Sequence, residues 1–170
     1  MNLLIINTIG KNDSEIQHAI NLLTKNSDKY KIIDASNLNI SHCTGCCECM
    51  LDTPGECCLN DDFNSIFTSI FDYQNIVIIA DTIFDFIEHK AINIMQRMFP
   101  LATVLATYKN NKILHIPRYH LQMSLTLLYS GNINKNMLSL WFKQYAEHFN
   151  ALPIGVYSIT DIEEALKCIS

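Results

Sequence analysis

Positive charge is scarce in this sequence: Lys and Arg number 12 against 17 Asp and Glu, and the formal net charge is -5 at pH 7. A protein that binds nucleic acid needs clustered Lys and Arg to neutralise phosphates, so the composition argues against a nucleic-acid partner. Long apolar runs are missing as well. The longest, such as residues 76–80, fall far below the ~20 residues that span a bilayer, so we expect no membrane insertion.

Export signals and linkers are also missing. The first ten residues, MNLLIINTIG, have no basic leader and no small-residue cleavage site after an apolar core, which predicts a cytoplasmic protein with reduced thiols. No Gly/Pro/Ser-rich linker, internal repeat or low-complexity stretch interrupts the 170 residues. A chain near the usual size of about 150 residues is expected to fold as a single domain, here over residues 1–170.

Short apolar runs alternate along the chain with helical stripes. Runs rich in β-branched residues are typical of buried parallel strands, and they occur at residues 3–6, 30–34, 75–80, 124–129 and 154–158. Helical spacing of apolar residues marks further segments, at residues 16–23, 63–71, 91–98, 138–145 and 162–169. Such a βαβ series folds into a parallel sheet with helices on both faces. The sequence therefore predicts a three-layered α/β fold with five strands.

Two local features complete the predicted architecture. Asn12 and Glu15 have the spacing of a capping box and are expected to open the first helix. Residues 101–121 match neither the strand nor the helix pattern, and we expect them to form a long irregular connection.

The cofactor site of such a sheet is expected beyond the carboxyl ends of its strands. Three loops leave those ends, at residues 7–13, 81–87 and 130–134. We expect any site to lie where these loops meet, and we expect a cysteine-rich segment after the second strand to share the same edge of the sheet.

That cysteine-rich segment is the densest chemical feature of the chain. Within a sixteen-residue window it contains six of the seven cysteines: Cys43, Cys46, Cys47, Cys49, Cys57 and Cys58. In a reducing compartment, this density indicates redox chemistry, a metal, or a remnant of one of them.

Several chemistries remain open for these thiols. Cys43, Cys46, Cys49 and Cys57 have a spacing that suits the four ligands of a 4Fe-4S cluster. Zinc is an alternative, with ligands at Cys43, Cys46, Cys57 and Cys58. Thiols that only pack as small hydrophobic groups are a further alternative. A thiol-disulfide role ranks low, because the acidic neighbours Glu48, Asp52 and Glu56 oppose a depressed thiol pKa.

The same segment carries a resemblance to a known family. CTGCCECMLDTPGECCLNDDF, at residues 43–63, resembles the C-x-G-C-x-x-C, P-G-x-C, D-D-[MF] stretch of NADPH-dependent FMN reductases and iron-sulfur flavoproteins. MQRMFPL, at residues 95–101, is similar to that family's M-D-R-L-x-P helix end. HIPRY, at residues 115–119, is similar to the basic segment before its fourth strand. The resemblance covers most of the chain.

The resemblance implies both a fold and a function. The fold is a flavodoxin-like three-layer sandwich with a five-stranded parallel sheet of order 2-1-3-4-5. The function is that of an NAD(P)H-dependent FMN oxidoreductase, which passes electrons from NAD(P)H through FMN to a small-molecule or protein acceptor. A homo-oligomer is implied too, because the family builds flavin sites near subunit contacts.

The FMN residues that the resemblance implies lie in the first and third loops. In the first loop, NTIGKNDS, the candidates that would cradle the phosphate are Thr8, Lys11, Asn12 and Ser14. The third loop offers Ser130 and Gly131 to the flavin ring.

The sequence departs from the family at the phosphate. The family's Arg is replaced by Gly10, and Asp13 with Glu15 places negative charge at the start of the helix, where it repels a phosphate. The alternative function is therefore a non-enzymatic flavodoxin-fold protein with degraded FMN loops. It would act as a cysteine-based iron-sulfur or metal module, or as an interaction scaffold.

Overall fold

A computed structural model describes residues 1–10, 13–109 and 111–169, and in these residues strands alternate with helices. In chain order the elements are β1 (Asn2–Asn7), α1 (Ser14–Lys25), β2 (Lys29–Asp34), α2 (Glu48–Leu51), α3 (Phe63–Ile70), β3 (Asn75–Ile83), β4 (Phe86–Ile87), α4 (His89–Gln96), β5 (Ala102–Lys109), β6 (Lys112–Pro117), β7 (Ser124–Ser130), α5 (Lys135–His148), β8 (Leu152–Ser158) and α6 (Ile162–Ile169). Short 3-10 turns precede β5 and α6.

Five parallel strands form the central sheet in the order β2-β1-β3-β7-β8. Numbered among themselves these strands have the order 2-1-3-4-5, which confirms the predicted flavodoxin-like fold class. The pairing is in register along β1, where Leu3 lies opposite Tyr30 of β2 and Asn75 of β3. β1 and β3 are covered on both faces, and their buried parts are continuous apolar runs. β7 is also buried on both faces, but the polar residue Thr126 interrupts its apolar run.

Alternate side chains of each strand enter two separate cores. Leu4 and Ile6 of β1 pack with α3, α4 and α5 on one face, against residues such as Phe63 and Phe142. Leu3 and Ile5 of β1 pack with α1 and α6 on the other face. Full burial of one such apolar side chain contributes about 1.5–3 kcal/mol, so these two layers hold the strand ends in place.

Helix α1 begins differently from the prediction. Its N-cap is Asp13, whose Oδ1 accepts hydrogen bonds from the N–H groups of Glu15 at 2.8 Å and Ile16 at 3.4 Å. The predicted cap was Asn12, which lies outside the described residues. Because Asp13 is the N-cap, the prediction named the wrong side chain. Asp and Asn are equally good caps, and the sequence pattern alone did not separate the two adjacent positions.

The segment at residues 101–121 is a hairpin and not the irregular connection that we predicted. β5 and β6 pair in antiparallel fashion, with Tyr108 opposite Ile113. A second, shorter hairpin extends β3, where β4 pairs back on it through a turn at Phe84 and Asp85, both with positive φ. The β5–β6 hairpin is largely exposed, so its strands lack the continuous apolar runs that identified the buried strands.

No helix among the described residues combines the length and the hydropathy that a membrane-spanning segment requires.

Candidate functional site

The cysteine-rich segment folds around one small cavity of about 220 Å³. All four predicted metal ligands line it, namely Cys43, Cys46, Cys49 and Cys57, together with Cys47 and Cys58. Phe99 and His115, from outside the cysteine-rich segment, also line the cavity. The structure therefore brings together thiols that are up to fifteen positions apart in the sequence.

The short helix α2 gives the cysteine segment its shape. Gly45 and Cys47 have φ values of 70° and 62°, so the chain reverses sharply just before α2. A φ in this region is strained for a side chain larger than glycine. The reversal at Cys47 lies between Cys46 and Glu48 in the chain. Gly55 is a second constrained position, because a Cβ there would lie 2.5 Å from the Tyr119 hydroxyl.

Two thiols within the cavity form a close pair. The Sγ atoms of Cys46 and Cys58 are 3.6 Å apart. A carboxylate oxygen of Glu48 completes a group whose ligand atoms all lie within 4.8 Å of one another. Within the described part of the chain, no three of the predicted ligands Cys43, Cys46, Cys49 and Cys57 form so compact a group. Their assignment as cluster ligands stays a prediction.

The thiols differ in how readily they ionise. A hydrogen bond from the Glu48 N–H, with further ones from the Thr44 hydroxyl and the Cys58 thiol, lowers the pKa of Cys46. The hydrogen bond to Cys46 raises the pKa of Cys58 to about 12. Burial raises the pKa of Cys49 to about 11. Acidic neighbours were expected to oppose a thiolate, but at Cys46 the nearby hydrogen-bond donors outweigh the carboxylate of Glu48 and the pKa is lowered.

A buried arginine fastens both ends of the cysteine segment to α4. Arg97 is 1% exposed, and its Nη1 donates to Asp61 Oδ2 at 2.5 Å and to the Ser41 carbonyl at 3.4 Å. Its Nη2 donates to the Leu59 carbonyl at 3.2 Å. Its guanidinium lies 4.6 Å from the centroid of the Phe63 ring. Since Ser41 precedes the cysteines and Leu59 follows them, Arg97 closes the segment into a loop.

The partner of Arg97 is held ionised. Burial disfavours the charged form of Asp61. The hydrogen bonds from Arg97, from the Ser41 N–H and from the Phe63 N–H outweigh that effect and keep the pKa of Asp61 below its usual value. This ion pair was not predicted from the sequence. The only signal for it was the MQRMFPL stretch, whose Arg was matched to a family pattern without a role.

The cysteine cavity does not share the edge of the sheet at which the three loops end. Lys90, near the start of α4, lines an open polar cavity of about 640 Å³ beside the first loop, with Asp13 and Asp34. Phe99, just after α4, lines the cysteine cavity. An eight-residue helix is about 12 Å long, so α4 separates the two cavities. Residues 36–41 run alongside α4 from its start to its end, because Lys90, Asn93 and Arg97 donate in turn to the carbonyls of Ser36, Ile40 and Ser41. The expectation of a common edge is therefore wrong, since the chain has left that edge before it reaches Cys43.

The first loop uses its polar groups internally. Thr8 is 1% exposed, and its hydroxyl donates to the Ile79 carbonyl at 3.0 Å. Ser14 is exposed at the start of α1. Lys11 and Asn12 lie outside the described residues. The Asp13 carboxylate occupies the helix N–H groups that would receive a phosphate, so the phosphate of FMN would have to displace this carboxylate to bind at the first loop.

The third loop is occupied in a similar way. Gly131 has a φ of 98°, and a Cβ there would lie 2.3 Å from the hydroxyl oxygen of Thr82. That hydroxyl donates to the Ser130 carbonyl at 2.9 Å, and Asp85 Oδ1 accepts from the Asn134 N–H at 2.6 Å. The close approach at Gly131 is thus made by the β3–β4 hairpin. The role of Ser130 and Gly131 in flavin binding stays a prediction.

Comparison with known proteins finds similarity in structure alone. No family model matches the sequence, and no curated protein matches it. RosB with bound 8-demethyl-8-formylriboflavin-5'-phosphate superposes with a TM-score of 0.63 at 13% identity, over 92% of this chain and 63% of RosB. An NAD(P)H:quinone oxidoreductase from Methanothermobacter marburgensis gives a TM-score of 0.64 at 11% identity, over 98% and 92% of the two chains. An FMN-dependent NADH-azoreductase from Bacillus anthracis, in complex with FMN, gives 0.63 at 13% identity, over 100% of each chain.

RosB and the azoreductase are described with a bound flavin, and the third neighbour is described as an NAD(P)H:quinone oxidoreductase. This chain shares their flavodoxin-like fold. The resemblance read from the sequence is therefore confirmed at the level of fold. The chain spans 63% of the length of RosB and nearly the whole of the other two proteins.

Proposed function

We propose that this protein is a flavodoxin-like oxidoreductase that passes electrons from NAD(P)H through FMN to a small-molecule or protein acceptor in the cytoplasm. The observation that carries the proposal is a structural match to an FMN-dependent azoreductase in complex with FMN, which covers 100% of this chain and 100% of the azoreductase. FMN supplies the chemistry in such proteins, by accepting a hydride and releasing electrons, while the protein binds and orients it.

Affinity for FMN is expected to be low, because the described residues around the phosphate oppose it. The Asp13 carboxylate takes the N–H groups of Glu15 and Ile16, and Thr8 is committed to the Ile79 carbonyl. An anion that binds there has to displace a carboxylate of the same sign. The flavin would therefore dissociate easily, as a diffusible carrier of electrons does.

The test is an absorbance spectrum of protein purified without oxygen, followed by an FMN titration monitored by flavin fluorescence. We expect saturable quenching by FMN, and NAD(P)H should bleach the flavin absorbance only when the protein is present. Riboflavin, which lacks the phosphate, serves as the matched ligand. A protein that neither quenches FMN nor accelerates its reduction by NAD(P)H contradicts the proposal.

A second function is favoured by one observation, the convergence of six thiols on a single cavity. In this alternative the protein is a non-enzymatic metal module, with Cys43, Cys46, Cys49 and Cys57 as the ligands of a 4Fe-4S cluster. A brown sample with an iron-sulfur shoulder and no flavin supports this alternative, whereas a colourless sample that binds no FMN supports a scaffold.

The surface of the β5–β6 hairpin supports a homo-oligomer. Tyr108 and Ile113 are cross-strand partners and are both 71% exposed, and Leu105 is 62% exposed. β5 and β6 pair only with each other in the described part of the chain, so each offers a free strand edge to a second copy. Twofold pairing of such edges is a common route to dimers.

We therefore expect a dimer or larger assembly that Tyr108→Lys with Ile113→Lys converts to a monomer, because two charges oppose burial of the hairpin. Light scattering after size-exclusion chromatography measures the mass. Met137→Lys is the control, since Met137 is 58% exposed on α5. A monomeric wild-type protein overturns the expectation.

A further inference from the structure

The thiols of Cys46 and Cys58 and the carboxylate of Glu48 form a compact group on the exposed side of the cysteine cavity. The two sulfurs are 3.6 Å apart, and each of the three ligand atoms lies within 4.8 Å of the others. This group contains only one of the four cysteines whose sequence spacing suits an iron-sulfur cluster. Its members are set by the fold, since twelve positions separate the two thiols.

The distances match a single metal ion. Tetrahedral coordination with metal–sulfur bonds of about 2.3 Å places two sulfurs about 3.8 Å apart. The observed separation of 3.6 Å needs only a small adjustment to reach that value. Thiolates bound to different irons of a cluster stand further apart than thiolates on one ion. The arrangement of Cys46 and Cys58 is therefore that of two ligands to one ion.

The donor types select the ion. Two thiolates are soft ligands, which disfavour Mg²⁺ and Ca²⁺ and favour Zn²⁺ and related ions. A carboxylate oxygen is a frequent third ligand of Zn²⁺, and water can fill the fourth position where the site is open to solvent. Cys46 and Cys58 are both exposed, so an ion and its water ligand have direct access.

We propose that Cys46, Glu48 and Cys58 bind a single thiophilic divalent cation, with Zn²⁺ as the expected ion. This inference goes beyond the redox function and does not depend on FMN. Because Cys46 also belongs to the predicted cluster set, occupation by one ion excludes a four-cysteine cluster at the same time. The protein thus carries either a single ion or a cluster at this cavity, according to the metals supplied.

A Co²⁺ titration tests the site, because Co²⁺ takes tetrahedral zinc sites and its thiolate charge-transfer and d–d bands report the number of sulfur ligands. Reduced full-length protein, freed of metal with a chelator under anaerobic conditions, is titrated with Co²⁺ and then with Zn²⁺. We expect one Co²⁺ per chain, two-sulfur charge-transfer intensity, and displacement by Zn²⁺. Absence of Co²⁺ binding overturns the proposal.

Variants identify the ligands. Cys58→Ser is expected to weaken Co²⁺ binding by at least about 100-fold, since loss of a direct ligand exceeds the 10–100-fold effects of outer residues. Glu48→Gln should weaken binding less and shift the d–d bands. Cys47 lines the same cavity but does not belong to the group, so Cys47→Ser is the control. Cys49→Ser and Cys57→Ser should bind Co²⁺ as the wild type does. The proposal is overturned if Cys49→Ser or Cys57→Ser abolishes binding while Cys58→Ser does not.

Two further measurements separate this site from other causes. Far-ultraviolet circular dichroism and thermal unfolding check that each variant is folded in the metal-free state. FMN titration of Cys58→Ser reports on the redox proposal independently. Unchanged FMN binding with lost Co²⁺ binding supports the metal site alone. If Cys58→Ser does not fold, Cys46→Ser takes its place, and a folded Cys46→Ser that binds Co²⁺ as tightly as the wild type overturns the proposal.

Discussion

Arg97→Met is expected to lower the free energy of unfolding by about 3–5 kcal/mol, the usual cost of removing one partner of a buried ion pair. The substitution keeps the bulk of the side chain but leaves the Asp61 carboxylate without its guanidinium, in a site where that carboxylate is 7% exposed. It also releases the carbonyls of Ser41 and Leu59. Urea unfolding measures the loss.

A control variant shows whether the loss of stability is specific to Arg97 or follows from removing any positively charged side chain. Lys25→Met removes an exposed charge at the end of α1 and should change stability by no more than about 0.5 kcal/mol. Limited proteolysis of Arg97→Met should cleave first between Ser41 and Leu59, because the tie across the cysteine segment is gone. A loss below about 1 kcal/mol would contradict the assigned role of Arg97.

The ion pair of Arg97 and Asp61 should also make the stability of the protein depend on pH. The pKa of Asp61 is lower in the folded protein than in the unfolded chain, so its contribution is present above the ordinary pKa of about 3.9 and is lost as the pH falls through the folded value. The free energy of unfolding of Asp61→Asn should therefore differ most from that of the wild type near neutral pH. The difference should shrink on acidification below about pH 4.

Asp13→Ser is expected to tighten FMN binding by about 10- to 100-fold, because it removes a negative charge from the start of α1. Ser is also a good N-cap, so the helix keeps its start, and a phosphate displaces a neutral hydroxyl from the N–H groups of Glu15 and Ile16 more easily than it displaces the Asp13 carboxylate. Fluorescence titration with FMN measures the change. Riboflavin affinity should stay constant, because riboflavin carries no phosphate.

Two controls sharpen this prediction. Glu15→Gln removes a charge from the same turn without freeing an N–H group, and a smaller gain is expected. Glu163→Gln removes a charge at the start of α6, a different helix, and should change nothing. An Asp13→Ser variant whose FMN affinity matches the wild type would show that this loop does not hold the phosphate.

The buried strands were predictable from the apolar runs of the sequence, and their order from the family resemblance. β1 and β3 are central strands, and burial on both faces demands uninterrupted apolar residues, a pattern that local sequence displays directly. The β5–β6 hairpin was not predictable in the same way, since its side chains are mostly exposed and tolerate many residue types. The Asp13 cap was missed because neighbouring Asn and Asp have the same preference.

Some features of the candidate site were likewise predictable from the sequence, and others were not. The sequence by itself determined that six thiols lie close together in the chain, that the fold is a parallel α/β sheet, and that acidic residues stand at the start of the first helix. Only the tertiary structure decided that Arg97 closes the cysteine segment, that Cys46 meets Cys58 rather than its nearer neighbours, and that α4 keeps this cavity away from the loops. Burial and helix periodicity leave a local trace in residue type, whereas a pairing between distant segments depends on how the chain turns between them.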